Sequence, residues 1–205
     1  MKKALLLVII CALAGFTLYK LLAKREDRRE DPKETALIAP KNSDAFNAAF
    51  GNIMKDYYSL KDAFVEWDTI KVNQTAAALK KTADSLPLKE FKADSTLVET
   101  AGSFVSSMSG ELQGLLGESD IDGKRKSFNM LTSELYDLIR TVRYDGSMIY
   151  HAKCPMAFGD SAEGYWLSDK AKIINPYLGK YHPSYKDKML ACGEIVDSLD
   201  FSKKQ

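Results

Sequence analysis

Residues 43–67, with the sequence SDAFNAAFGNIMKDYYSLKDAFVEW, carry the apolar pattern that decides the fold. Large apolar side chains recur there at alternating spacings of four and three residues, at Phe46, Phe50, Ile53, Tyr57, Leu60, Phe64 and Trp67. This spacing places them on one face of an α-helix. Ser43 or Asp44 is a suitable N-cap, because a short polar side chain accepts a hydrogen bond from the first turn. The stretch predicts an amphipathic helix of about six turns.

Three further apolar stripes of the same kind follow. They run from Val72 to Leu86, from Leu97 to Leu115 and from Phe128 to Val142. Asp68 is a candidate cap for the second helix and Pro87 ends it, while Asp120 or Asp122 is a candidate cap for the fourth. Four such helices joined by short polar turns predict an all-α protein. We expect an up-and-down four-helix bundle with an irregular C-terminal segment that contains cysteine, methionine and histidine.

Composition divides the chain into four parts. Residues 1–23 are an apolar run behind two lysines, which is typical of a signal peptide or an N-terminal membrane anchor. Residues 24–42 are charged and contain two prolines, which indicates a solvated tether. Residues 43–145 hold the predicted bundle, and residues 146–205 are expected to pack on it within the same domain. This organisation predicts a periplasmic or otherwise extracytoplasmic protein, tethered to the inner membrane or secreted.

The charge balance argues against a nucleic-acid partner. The chain has 29 basic and 28 acidic residues, a formal net charge of +1, and interleaved signs. Nucleotide-binding and covalent-haem patterns are absent from the sequence. Neither of the two histidines falls in the helical stripes, where a di-iron site of a bundle would need them. A binding role is therefore expected rather than an enzymatic one.

The C-terminal segment, residues 146–205, concentrates the side chains that bind metals. These are His151, Cys154, Met156, His182, Met189 and Cys192. Thiolates and thioethers are soft donors that select Cu(I), with Ag(I) as its chemical analogue. A structural zinc site more often has four Cys/His ligands, which two thiolates with His151 or His182 could supply.

Other interpretations of these residues remain open. Cys154 and Cys192 also suit a disulfide, worth roughly 4 kcal/mol in the loop-entropy model and favoured in an oxidising compartment. Met189 and Cys192 continue at helical spacing to Val196, which favours two core residues of a terminal helix. A catalytic cysteine beside a histidine is a third interpretation, for which the sequence offers no orienting group or oxyanion element.

Four short motifs of the C-terminal segment carry a family resemblance. They are CPMA at 154–157, YWLS at 165–168, INPYLG at 174–179 and ML-x-CG at 189–193. In this order they resemble a bacterial domain-of-unknown-function family of exported proteins. That family is also found attached to periplasmic adaptor proteins of copper/silver (Cus-type) RND efflux pumps. The resemblance includes the helical motif YYxLKxA at 57–63 and spans roughly residues 44–200.

The resemblance implies a small helical bundle with a metal-associated segment outside the cytoplasm. It carries over Cys154, Met156, Met189 and Cys192 as candidate ligands, whereas His182 lies in a loop that is longer here than in shorter family members. The sequence therefore predicts a periplasmic, membrane-tethered protein that binds Cu(I) or Ag(I), with zinc as the alternative metal. It would buffer the metal or transfer it to an efflux adaptor or other envelope protein.

The alternative function is a protein-interaction module without bound metal. In that case a Cys154–Cys192 disulfide staples the fold. The partner would bind an exposed aromatic patch, for which the candidates are Tyr165, Trp166, Tyr177 and Tyr181.

Overall fold

Four helices form the first part of the structure, a computed structural model that describes Phe16, Lys20 and residues 42–159 and 162–202. They are α1 (Asp44–Val65), α2 (Thr69–Asp84), α3 (Ser95–Gly117) and α4 (Ile121–Val142). Consecutive helices pack against each other. The predicted four-helix arrangement is thus confirmed.

Each helix begins at a short polar side chain that accepts a hydrogen bond from a backbone N–H of the first turn. The caps are Ser43, Asp68, Asp94 and Asp120. Three of these positions were predicted from the sequence, and Asp94 was not. The first apolar stripe is fully buried from Phe46 to Phe64. Trp67 departs from it, because it lies beyond the end of α1 with a φ of 58°.

The predicted signal or anchor (residues 1–23) and the tether (24–42) lie outside the described residues, apart from Phe16, Lys20 and Asn42. Among the helices of the described residues, none has the length and the apolar content needed to cross a membrane. The described residues from Asn42 to Ser202 belong to one compact unit.

A three-stranded antiparallel sheet follows the helices, so the all-α prediction is wrong for the C-terminal segment. Its strands are β1 (Ile149–Cys154), β2 (Gly164–Ser168) and β3 (Glu194–Leu199), in the order β2-β1-β3. The helical spacing through Cys192 and Val196 fails at Gly193, which has a φ of 138°. A Cβ there would lie 2.5 Å from the carbonyl oxygen of Lys153, so glycine allows β3 to approach β1.

The outer edge of β2 docks on the helices through side-chain hydrogen bonds. An edge strand has backbone groups without a strand partner, and these must be satisfied when they are buried. The N–H of Tyr165 donates to Oδ1 of Asn129 on α4 at 2.8 Å. The N–H of Leu167 donates to the hydroxyl oxygen of Tyr57 on α1 at 3.1 Å. The hydroxyl of Tyr177 donates to the Tyr165 carbonyl oxygen at 2.5 Å.

The Tyr57 hydroxyl belongs to a buried series of hydrogen bonds in which each group donates to the next one. Thr132 donates to the Phe128 carbonyl oxygen at 2.9 Å, so its hydroxyl oxygen is free to accept from Tyr57 at 2.7 Å. Tyr57 in turn accepts from Leu167. Every polar group in this chain has a partner, which is the condition for burying such groups without a large penalty.

Replacement of Tyr57 by phenylalanine tests this chain. We expect Tyr57→Phe to lower the free energy of unfolding by about 1–3 kcal/mol, because the buried N–H of Leu167 loses its acceptor. Urea unfolding followed by circular dichroism measures the change.

The neighbouring Tyr58 supplies a matched control. Its hydroxyl is buried without a hydrogen-bond partner among the described residues. Tyr58→Phe should therefore leave the stability unchanged or raise it slightly. Equal losses in the two variants would contradict the importance of the Tyr57 hydrogen bonds.

Candidate functional site

Cys154 and Cys192 meet at one end of the sheet. Cys154 is the last residue of β1, and Cys192 lies in the turn before β3. The pairing of Lys153 with Glu194 brings these two chain segments together. Both cysteines are free thiols, and their side chains are within hydrogen-bonding range of each other. Cys154 is fully buried and Cys192 is half-buried, so this thiol pair has one inner and one outer member.

Asn175 organises the backbone around the thiol pair. Its side chain is fully buried, and Oδ1 accepts the N–H groups of Tyr177 at 2.8 Å and Leu178 at 2.9 Å. Nδ2 donates to the carbonyl oxygen of Cys192 at 2.7 Å, and the same side chain is hydrogen-bonded to the Cys154 thiol. One amide therefore holds the turn of the INPYLG motif and both cysteines in a single network.

Burial decides the protonation of the inner thiol. It raises the pKa of Cys154, and the neighbouring Cys192 thiol acts in the same direction. The hydrogen bonds from Asn175 and from the N–H of Met156 oppose this rise, since they stabilise a thiolate. Cys154 is therefore a protonated thiol at neutral pH, and any cation that binds it must displace the proton.

His151 is separated from the thiol pair by the geometry of the strand. It lies three residues before Cys154 on β1, so the two side chains point to opposite faces of the sheet. The imidazole packs between Tyr136, at 4.3 Å between ring centroids, and Tyr165, at 5.2 Å. Burial lowers the pKa of His151, and its Nε2 is buried without a partner among the described residues.

Met156 and His182 come together elsewhere, in a cavity of about 380 Å³ that we call the Arg125 pocket. Its walls include Arg125, Phe158 and Tyr185. The His182 ring packs edge-on against Trp67 at 4.8 Å, and its Nδ1 accepts backbone N–H groups from the same loop. Met156 nevertheless stays linked to the thiol pair through its backbone N–H.

Met189 is the remaining candidate ligand and lies next to the outer thiol in the chain. Its carbonyl oxygen accepts the N–H of Cys192 at 2.9 Å, and its side chain packs partly buried against the core. Of the six candidate ligands, the structure therefore brings the two cysteines together directly. Across the part of the chain that the structure describes, no group of three or more His, Cys, Asp and Glu side chains is arranged to hold a metal ion.

The predicted aromatic patch is wrong in part. Trp166 is 1% exposed and Tyr177 is fully buried, because both rings pack into the contact between the sheet and the helices. Tyr165 is half-buried, and Tyr181, at 63%, is exposed. The exposed apolar side chains of this part of the structure also include Ile195 and Val196 on β3.

Comparison with known proteins finds a family match in the helical part. Residues 53–145 match the model of a family described as protein of unknown function (DUF3347). The match begins within α1 and ends before β1, so it covers most of the helices and leaves out the thiol pair. No curated protein and no solved structure matches the chain.

Removal of the Asn175 side chain should loosen the thiol pair. Asn175→Ala leaves two buried N–H groups and one carbonyl without partners, so we expect a loss of about 3 kcal/mol or more in urea unfolding. Asn73→Ala, at an exposed position on α2, is the control and should change the stability by less than about 0.5 kcal/mol. An equally small change for Asn175→Ala would contradict the organising role.

The two thiols should also differ in reactivity. Cys192 should react with iodoacetamide before Cys154, because it is the more exposed and because burial raises the pKa of Cys154. Peptide mapping after timed alkylation gives the two rates. The thiolate is the reactive form, so an alkylation rate stops rising once the thiol is fully ionised. Because the pKa of Cys154 is raised, its rate should still increase at pH values where the rate of an ordinary thiol has levelled off. A faster reaction at Cys154 would contradict the burial described here.

Proposed function

We propose that the protein binds a soft metal ion, Cu(I) or Ag(I), through the thiolates of Cys154 and Cys192. The single observation that carries the proposal is the meeting of these two thiols at the end of the sheet. Both ions form stable complexes with two thiolate sulfurs, so the pair supplies a sufficient ligand set. Structural zinc takes four protein ligands, which makes zinc the less supported metal here.

The surroundings of the pair support reversible binding. Asn175 and the N–H of Met156 already donate hydrogen bonds to the Cys154 sulfur, which stabilises the thiolate that a metal requires. The half-buried Cys192 gives the ion a route in and gives a partner's ligand a route to the ion. We therefore propose that the protein buffers the metal or transfers it to an efflux adaptor or acquisition protein of the cell envelope.

The proposed location is outside the cytoplasm, and it rests on the sequence of residues 1–23. An apolar run behind two lysines supports export with either a cleaved signal or a retained membrane anchor. In an oxidising compartment a disulfide competes with metal for the same two sulfurs. The redox state of the pair would then control its metal occupancy.

A disulfide-stapled interaction module is the second candidate function. The same proximity of the thiols favours it, since oxidation would link the end of β1 to the turn before β3. Exposed Tyr181 and the exposed β3 side chains Ile195 and Val196 offer contact area for a protein partner. Here the cysteines stabilise the fold and bind nothing.

Titration with Cu(I) under anaerobic, reducing conditions tests the metal proposal. Competition with bathocuproine disulfonate should show one equivalent bound. Cys154→Ser and Cys192→Ser should each weaken binding by more than about a hundredfold, since each removes one of two ligands and changes to outer-shell groups already cost 10–100-fold. Cys11→Ser is the matched control and should bind as the parent protein does. Met189→Leu shows whether the adjacent thioether adds to affinity.

Intact mass measured without reductant separates the two functions. Free Cys154 and Cys192 thiols together with bound copper would support the metal site. A protein lighter by two hydrogens that takes up no Cu(I) after reduction would contradict it and leave the interaction module.

A further inference from the structure

The Arg125 pocket contains a buried cation with unused hydrogen-bond donors. Arg125 lies on α4 and is 2% exposed. Its Nη1 pairs with Asp122 at 3.2 Å, whereas Nε and Nη2 are buried without partners among the described residues. Leaving charged donors unsatisfied in the interior is expensive, so such groups in a native structure call for an explanation.

The guanidinium is held in place from the other side. Its Cζ atom lies 3.4 Å from the centroid of the Trp67 ring, a cation–π contact that holds the group against the ring face. Burial lowers the pKa of Arg125 to about 10, so the group is still charged at neutral pH. The guanidinium is charged and only Nη1 has a partner among the described residues, so the group retains donors for a carboxylate, the anion that its forked geometry matches.

We propose that the Arg125 pocket binds a small organic monocarboxylate, whose carboxylate group pairs with the Arg125 guanidinium. Neither the thiol pair nor the family match assigns this site. It is independent of the metal proposal, because it requires neither cysteine.

The residues that line the pocket indicate the charge of the ligand and the polarity of the rest of the molecule. Arg125 and the exposed Lys126 oppose one carboxylate, Asp122, and burial lowers the pKa of His182, which is therefore neutral at pH 7. One net positive charge suits a monoanion better than a dianion such as phosphate. The remaining walls include Met156, Phe158 and Tyr185, and a volume of about 380 Å³ is within the range of small-molecule sites. A carboxylate that carries an apolar group would therefore fit this pocket.

Calorimetric titration of the full chain with 3-phenylpropionate tests the site. The neutral analogue 3-phenylpropionamide should bind at least about tenfold more weakly, because it lacks the charge that the guanidinium recognises. Inorganic phosphate should also bind more weakly than the carboxylate. The dipeptide acid N-acetylglycylphenylalanine distinguishes the two sources of such a group. Binding comparable to that of 3-phenylpropionate would indicate the C-terminus of a peptide, and much weaker binding would indicate a free acid.

Three variants complete the test. Arg125→Lys keeps the charge but loses the paired donors and should weaken 3-phenylpropionate binding at least about tenfold. Arg140→Lys, at a position 58% exposed on the same helix, is the matched control and should bind as the parent protein does. Ser184→Trp places an indole at an exposed lining position and should block entry while Arg125 stays intact, which covers the case that Arg125→Lys does not fold.

The outcomes that would overturn the proposal are specific. They are equal affinity for the acid and the amide, a preference for phosphate, or unchanged carboxylate binding in Ser184→Trp. Absence of binding by any carboxylate at millimolar concentration would also overturn it. Tryptophan fluorescence, to which Trp67 contributes together with Trp166, gives a second readout in the parent protein and should change with the same affinity.

Discussion

The hydroxyl of Tyr57 is the physical link between the helices and the sheet. It accepts a hydrogen bond from the backbone of β2 and donates one to Thr132 of α4, so α1, α4 and the sheet meet at one buried atom. Hydrogen bonds in such a buried chain polarise one another, and an unpaired member would be costly in the low dielectric around it. Asn129 and Tyr177 extend the same contact along the β2 edge. The position of the sheet is thus fixed by polar geometry as well as by apolar burial.

The thiol pair depends on this contact through a short series of steps. β2 is held by the helices, β1 pairs with β2 and ends in Cys154, and β3 pairs with β1 and follows the turn of Cys192. Gly193 permits the close approach of that turn, and the Asn175 amide ties it to the INPYLG motif. A site built at the end of a sheet and on one buried amide is held more rigidly than a site on a free loop. This favours a defined distance between the sulfurs, which two-thiolate coordination requires.

The helices were predictable because their signals are local. A helical apolar period and a cap side chain can be found within a few residues, and Ser43, Asp68 and Asp120 cap helices where the sequence places them. The strands gave no comparable signal. β3 is exposed along most of its length, so its pairing depends on backbone contacts with a strand some forty residues away and on the freedom of Gly193. An apolar pattern cannot indicate either of these.

The candidate site was predictable to the extent that chemistry alone defines it. Two cysteines in one irregular segment were expected to meet, and they do. The rest of the ligand set depended on side-chain direction. A spacing of three residues puts two side chains on one face of a helix but on opposite faces of a strand. His151 is therefore excluded from the pair once β1 is known.

The Arg125 pocket could not be predicted from the sequence around Arg125. It depends on the contact with Trp67 and on a pocket wall formed by residues after β1. Met156 lines that pocket while its N–H donates to Cys154, so one short turn borders both proposed sites and separates their ligands.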